Sequence, residues 1–132
     1  MKPFYRPDNI FVRKWTRFWI RRGGLTTWGR FAMGMAARYV APHKSRTTLA
    51  RMAPSGYIAR SVIIDHDELS LGRHVFIDER SILFKREGAG GITLADTVNI
   101  FREVYLESGM GGDLFIDENA SIHPRCQINA YH

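Results

Sequence analysis

The stretch LGRHVFIDERSILF, residues 71–84, places an aliphatic side chain at every sixth position. The spacing continues towards the end of the chain, in nine six-residue units that we call hexads. Their opening residues are Leu71, Ile77, Leu83, Leu94, Ile100, Leu106, Ile116, Ile122 and Ile128. A helix would return apolar residues every three or four positions and a strand every two, so a period of six predicts short strands joined by corners, three to a turn of a coil.

The fifth position of each hexad is expected to point inward at a tight corner, which favours small or β-branched side chains. Six of the nine positions fit: Val75, Ser81, Val98, Val104, Ala120 and Cys126. We therefore expect Cys126, the single cysteine, to be a small buried thiol, and an internal disulfide is excluded. The second position favours glycine or a short polar residue, so Phe84, Phe101 and His123 predict widened or covered faces.

The exceptions at the fifth position follow a pattern of their own. They are Glu87, Met110 and His132, and each falls in the third hexad of a triplet. The first two adjoin glycine-rich segments at residues 88–91 and 109–112. We therefore expect one corner of the coil to open repeatedly into a loop.

An alternative for these glycine-rich segments stays open. Gly88 and Met110 could each begin an irregular hexad, with Ile92 and Leu114 pointing inward, and this would change the side of the coil assigned to each strand. Phosphate binding is not favoured, since the segments lack the Lys and Ser/Thr of a P-loop. Relief of steric strain at a turn explains the glycines more simply.

Charge divides the chain into two segments. Residues 1–57 contain twelve Lys or Arg and one acid, whereas residues 58–132 contain seven basic and twelve acidic residues, so net charges of +11 and −5 sum to +6. With the turn-rich residues 54–56 between them, this predicts a basic helical segment with a connector (1–57) and a solenoid (58–132). The start of the chain does not resemble a secretory signal, and we expect a cytoplasmic protein, with peripheral attachment at the inner face of the membrane as an open alternative.

A first helix is predicted over residues 10–22, ended by two glycines. Trp15 and Trp19 fall on one face and Arg13 and Arg17 on the other, which suits the surface of an anionic membrane. Two alternatives remain. The aromatic face could instead pack against the solenoid or a neighbouring subunit, while nucleic acid is disfavoured because no helix-turn-helix, zinc or RNA-binding pattern accompanies the cations.

A second helix is predicted over residues 25–41, ended by Pro42. Its apolar stripe, which includes Trp28 and Phe31, is expected to be core. Gly29 and Gly34 would allow another backbone to approach closely, so the two helices are expected to form a hairpin. A polar connector with Lys44, Arg46 and Arg51 is expected before the solenoid.

The hexad pattern, clearest in residues 71–78 and 115–122, resembles the hexapeptide-repeat acyltransferase superfamily, including sugar and polysaccharide O-acetyltransferases. The resemblance covers residues 58–132. It implies a mainly β fold, a left-handed parallel β-helix preceded here by the helical hairpin. It also implies a homotrimer that binds acetyl-CoA or another acyl-CoA between neighbouring β-helices, and a histidine that acts as general base on the hydroxyl of a sugar or glycolipid acceptor.

Five histidines are candidates for the general base: His43, His66, His74, His123 and His132. His132 is preferred among them because it occupies the corner where the earlier triplets open into loops. The catalytic and acyl-CoA-binding residues stay unassigned. The last hexad stops at its fifth residue. We therefore expect the chain to be the front part of a longer acyltransferase, with a β-helix that is incomplete at its C-terminal end and that could lack activity alone.

Two other functions are compatible with the hexads. The first is a noncatalytic oligomerisation or scaffold module whose helices bind a membrane or a partner. The second is a zinc-dependent hydratase resembling the γ-carbonic anhydrases, which needs three histidines that meet at a subunit interface. The histidine spacing does not suggest such a set, and no metal is expected.

Overall fold

The computed structural model describes residues 10–40, 46–66, 68–85, 90–109 and 111–131. Three helices come first: α1 (Ile10–Ile20), α2 (Thr27–Ala36) and α3 (Thr47–Met52), with a 3-10 turn at Ala37–Tyr39 after α2. The first helix was expected, and the second ends earlier than expected. The third helix, α3, lies within the predicted polar connector and forms because it buries Leu49 and Ala50 against the start of the solenoid.

Eleven short strands follow the helices. They are β1 (Tyr57–Ile58), β2 (Ile63–Asp65), β3 (Leu69–Leu71), β4 (Phe76–Ile77), β5 (Ile82–Lys85), β6 (Ile92–Leu94), β7 (Asn99–Ile100), β8 (Tyr105–Gly109), β9 (Leu114–Ile116), β10 (Ser121–Ile122) and β11 (Gln127–Tyr131). All their pairings are parallel, in the sheets β1-β4-β7-β10, β2-β5-β8-β11 and β3-β6-β9. Successive strands therefore visit three sheets in turn, which confirms a mainly β, parallel solenoid preceded by helices. The left-handed sense of the coil stays a prediction.

The residues that open the hexads form three columns, one in each sheet. The pairing order is Leu71, Leu94, Ile116; Ile77, Ile100, Ile122; and Leu83, Leu106, Ile128. Five of these side chains are completely buried: Ile77, Leu83, Leu94, Ile100 and Leu106. Burial of each of these side chains contributes about 1.5–3 kcal/mol to the stability of the fold. The six-residue period of the sequence is therefore the spacing of the buried core residues.

The corners share one backbone conformation. The fourth residue of six hexads has a positive φ, although none is glycine; these residues are His74, Arg80, Thr97, Glu103, Asn119 and Arg125. This left-handed residue turns the chain from one sheet into the next and brings the fifth residue inward. Val75, Ser81, Val98 and Val104 are accordingly buried at the fifth position.

The prediction for Cys126 was wrong, because its thiol-bearing side chain is exposed. Cys126 precedes β11, the last described strand, which pairs with β8 on one edge alone. A fifth-position side chain is enclosed only where coils lie both above and below it, and within the described residues none lies beyond this one. Ala120, one corner earlier, is half-buried.

The alternative hexads at the glycine-rich corner are not needed to explain the sheets. Ile92 lies in the same strand as Leu94, and Leu114 lies in the same strand as Ile116, so both belong to the third sheet. Ile92 is fully buried, as that alternative required, but no fourth side of the coil is formed by the described strands. At the second predicted loop the backbone amide of Gly112 donates to the Gly109 carbonyl at 2.9 Å. Residues 86–89 and 110, which include the exceptions Glu87 and Met110, and His132 lie outside the described residues.

Phe101 marks a covered face, as its unusual place in the hexad suggested. Its ring lies 5.9 Å from that of Phe76 and 6.2 Å from that of His123, and Phe76 stacks in turn on Tyr57 at 5.9 Å. Tyr57, Phe76 and Phe101 are buried. The column of rings thus continues the core outside the first sheet, on the side towards the helices.

The helices pack on each other and on the first coil. Gly29 of α2 lies so close to Gly24 that an added Cβ would stand 2.5 Å from the Gly24 amide nitrogen, so the predicted close backbone approach is confirmed there. At Gly34 the neighbour is instead the side chain of Arg60. The backbone amide of Ile58 donates to the Met33 sulfur at 3.2 Å and joins α2 to β1.

Candidate functional site

His66 is held in a structural hydrogen-bond chain. Its Nδ1 accepts from the backbone amide of Glu68 at 3.0 Å, so the proton lies on Nε2, which faces the Ser108 hydroxyl at 2.8 Å. That hydroxyl donates to the Gly90 carbonyl at 2.9 Å. Both ring nitrogens of His66 therefore serve to fix the corner beside the glycine-rich segment.

His74 joins α3 to the solenoid. Its Nδ1 donates to the carbonyl of Ala50 at 3.0 Å, and its own carbonyl accepts from Arg51 at 2.6 Å. His123 is exposed beside Phe101. The predicted candidates His43 and His132 lie outside the described residues, so of the five histidines the structure places three and gives structural roles to two of them.

No metal centre is formed by the part of the chain that the structure describes. Within it, no three His, Cys, Asp or Glu side chains lie together in a way that could hold a metal ion. The zinc hydratase hypothesis therefore gains no support from the geometry.

An arginine-lined crevice separates α2 from the first coil. It consists of two adjoining hollows of about 370 and 160 Å³ that share Arg60. The larger is lined by Leu25, Thr27, Arg30, Phe31 and Arg60, and the smaller by Gly34, Ala37, Arg38, Arg46, Tyr57, Arg60 and Glu79. We call the two together the arginine crevice.

The electrostatics of the arginine crevice favour an anion. Four guanidinium groups and one carboxylate line it, and that carboxylate, of Glu79, lies 3.6 Å from Arg46. Burial lowers the pKa of Arg30, whose Nη2 donates to the carbonyls of Ala59 and Val62 at 3.0 and 2.6 Å. The Nε groups of Arg30 and Arg46 are buried without a hydrogen-bond partner among the described residues, and they could donate to an oxyanion.

Tyr57 adds a neutral hydroxyl to the arginine crevice. Burial raises the pKa of Tyr57 to about 12, although the nearby Arg46 guanidinium acts in the opposite direction. Its hydroxyl oxygen lies 3.4 Å from Arg46 Nη1, which donates to it. Tyr57 is therefore a hydrogen-bonding group and not a base near neutral pH.

A second candidate site lies on the outer side of the helices. Six aromatic rings form a continuous cluster with centroid separations of 5.2–6.2 Å. These residues, which we call the aromatic surface, are Phe11, Trp15, Phe18, Trp19, Trp28 and Phe31. Four of them are exposed: Phe11 (60%), Phe18 (49%), Trp28 (60%) and Phe31 (38%).

The aromatic surface differs from the one expected from α1 alone. Trp15 and Trp19 are half-buried, and the Trp15 indole donates to the Met35 carbonyl at 2.8 Å, so part of the aromatic face packs against α2. Arg13 and Arg17 are exposed.

The core assignment of Trp28 and Phe31 was wrong, because both are exposed. Helical periodicity identified the apolar stripe of α2 correctly. It could not show that α1 and the first coil cover Ala32, Met33 and Ala36 while the outer edge of the stripe stays open.

The fold and these two sites define a parallel β-solenoid with a basic helical part. Comparison with known proteins found no matching family model, no matching curated protein and no matching solved structure. The fold is compatible with hexapeptide-repeat proteins.

Proposed function

We propose that this chain is a hexapeptide-repeat acyltransferase that carries an acyl group, most simply acetyl, from coenzyme A to a sugar hydroxyl of an envelope polysaccharide or glycolipid. One observation supports this most: three in-register aliphatic columns with a left-handed residue at six corners. That repeat is the one on which the acyltransferase class is built. The link from fold to activity is an analogy, and its test is therefore chemical.

The reaction needs a general base near the acceptor. The base removes the hydroxyl proton as the acceptor oxygen attacks the thioester carbonyl. The carbon–sulfur bond then breaks, and the protonated base gives that proton to the leaving sulfur, so that coenzyme A leaves as the thiol. His66 and His74 are bound to structural partners through their ring nitrogens. We therefore expect His123 or His132 to be a better candidate for the base.

Binding of the donor is the first test. In isothermal titration calorimetry we expect acetyl-CoA to bind the intact protein, whose fold is checked by circular dichroism, and free acetate not to bind. A folded protein that binds neither acetyl-CoA nor coenzyme A would contradict the proposal. Sedimentation in the same buffer would show whether the homotrimer implied by the class is formed.

Within this proposal the arginine crevice takes a phosphate group of the acceptor. Its guanidinium groups suit phosphate oxygens, whereas the class holds acyl-CoA elsewhere, between neighbouring solenoids. We expect glucose 1-phosphate to bind more tightly than glucose, and Arg60→Gln to weaken that binding about tenfold. The matched control is Arg125→Gln, an exposed arginine of the last coil, and equal losses in the two variants would contradict this role.

A second candidate function is a noncatalytic scaffold, and the histidines favour it. Two of the three described histidines are used to hold corners and α3 in place, as a scaffold would require. A folded, self-associating protein that neither binds acetyl-CoA nor transfers acetyl would support this candidate over the enzyme. Acetyl transfer to a sugar, detected by mass spectrometry, would exclude it.

A further inference from the structure

The aromatic surface lies where most of the exposed large hydrophobic residues of the described chain are found. Of the seven large hydrophobic residues that are exposed in the described part of the chain, five lie in the helical part, and Leu25 joins the four exposed rings there. Rings from both helices contribute, since Trp19 lies 6.2 Å from Trp28 and 6.0 Å from Phe31. A contiguous apolar patch of this kind marks an interaction site.

The charge around the aromatic surface is of one sign. Residues 9–64 contain eleven Lys or Arg and no Asp or Glu. At about 100° per residue, Lys14 lies beside the side of α1 that carries Phe11 and Phe18, and Arg21 directly follows the end of the helix. Both cations are exposed.

Arg22 connects the cations to the rings directly. Its guanidinium carbon lies 3.7 Å from the centroid of the Phe18 ring, and its Nη1 donates to the Phe18 carbonyl at 2.8 Å. The charged group thus stays at the rim of the apolar patch. This arrangement would allow Phe18 to enter an interfacial layer while Arg22 meets a phosphate.

We propose that the aromatic surface docks on a lipid bilayer that contains anionic lipids. Phe11, Phe18 and Trp28 enter the headgroup layer, and Lys14, Arg21 and Arg22 contact lipid phosphates. A bilayer fits better than a protein partner because residues 9–64 contain cations and no acid, so the rings are accompanied in the sequence by charges of one sign, as an anionic plane requires. Trp15 and Trp19 support the cluster from within.

The docking is peripheral. Within the described residues, every helix is too short or too polar to cross a membrane. Binding through exposed rings and cations is reversible. It depends on lipid charge because the electrostatic attraction of the cations adds to the free energy gained by burying the rings. The inference goes beyond acyl transfer and holds or fails independently of it.

Vesicle flotation tests the docking. We expect the full chain to float with phosphatidylcholine vesicles that contain phosphatidylserine, and much less with phosphatidylcholine alone. The double variant Phe18→Ser and Trp28→Ser should lower binding at least about tenfold. The matched control, Ile63→Ser and Phe115→Ser, changes two equally exposed apolar residues of the solenoid and should bind as the wild type does.

A second set of variants tests the contribution of the cations to vesicle binding. Lys14→Gln with Arg21→Gln should reduce binding to the anionic vesicles several-fold and leave the weak binding to phosphatidylcholine unchanged. Arg73→Gln with Arg125→Gln, two exposed arginines of the solenoid, should have little effect. Equal losses in the two pairs would show a general charge effect and contradict docking through the helices.

A measurement on the wild type avoids any effect of the variants on folding. Brominated lipids in the anionic vesicles should quench tryptophan fluorescence, since Trp28 would lie at the headgroup layer. Absence of both flotation and quenching would overturn the proposal. If the serine variants instead abolish self-association without any lipid binding in the wild type, the aromatic surface is a contact between copies of the chain, and the proposal is wrong.

Discussion

The corner residues show how single positions sustain the coil. Of the six left-handed residues, His74 and Asn119 are of types that are enriched at positive φ. The others are held by pairing with the previous turn: the amides of Thr97 and Glu103 donate to the carbonyls of Arg73 and Glu79 at 2.8 and 3.0 Å. Each of these hydrogen bonds to the neighbouring coil offsets part of the free-energy cost of the unusual backbone conformation.

Gly56, where the helical part meets the first strand, should not tolerate a side chain. Its φ is +72°, and an added Cβ would collide with the Val75 carbonyl oxygen. We expect Gly56→Ala to lower the free energy of unfolding by more than about 2 kcal/mol in urea titrations. Gly24→Ala is the control, because nothing lies within 4 Å of the added carbon, and similar losses in the two variants would contradict the fold at this turn.

Tyr57 should make stability fall in alkaline solution. Burial raises its pKa from 10.0 to about 12, so between these pH values the unfolded chain loses the proton while the folded protein keeps it. Stability from this group is complete below pH 10 and decreases by about 2–3 kcal/mol as pH rises through that window.

The variant Tyr57→Phe tests this directly. Its free energy of unfolding should fall less than that of the wild type between pH 9 and pH 12, because the group that ionises is gone. Urea unfolding at several pH values gives both curves. Parallel curves for the two proteins would show that Tyr57 is not the buried phenol described here.

At the scale of elements, the sheets depend on the inward columns more than on any outer residue. Ile100 is fully buried in the middle of the column formed with Ile77 and Ile122. We expect Ile100→Ala to lower the free energy of unfolding by about 2–4 kcal/mol. Ile63→Ala, at a position that is 55% exposed, should cost less than about 1 kcal/mol, and the reverse order would contradict the assigned side of the strands.

The strands could be predicted because the six-residue period is set by burial itself. All nine aliphatic residues that open the hexads fall into the three paired columns. The short helix α3 could not be predicted, since its six residues have no room for a helical period. It depends on distant partners: Arg51 donates to the His74 carbonyl and to Asn99 Oδ1 at 2.6 and 2.9 Å.

The candidate sites were less predictable than the sheets, for a different physical reason. The cationic and aromatic faces of α1 follow from periodicity, but the exposure of Trp28 depends on how α2 packs. The arginine crevice joins Arg30 and Arg60, which are thirty residues apart, and no local pattern connects them. Periodicity identifies faces, whereas only the packed structure shows which edge of a face stays open.

On the scale of the whole molecule, the boundary between the basic and the acidic half of the chain is also the boundary between the helices and the solenoid. Residues 9–57 contain no acidic residue, while twelve of the thirteen acidic residues lie in the solenoid. This division suits a protein whose helices meet an anionic surface and whose coils hold the donor. A docked helical part would also place the arginine crevice, lined by the exposed Leu25 and Phe31, beside the membrane.

Hydrogen exchange in the presence of acetyl-CoA tests the proposed function of the solenoid most directly. Acetyl-CoA should slow exchange of backbone amides in the strands of the solenoid, because the class binds the donor along its coils, and should leave α1 and α2 unchanged. Free acetate should have no effect. Unchanged exchange throughout the solenoid, or protection confined to the helices, would contradict the account.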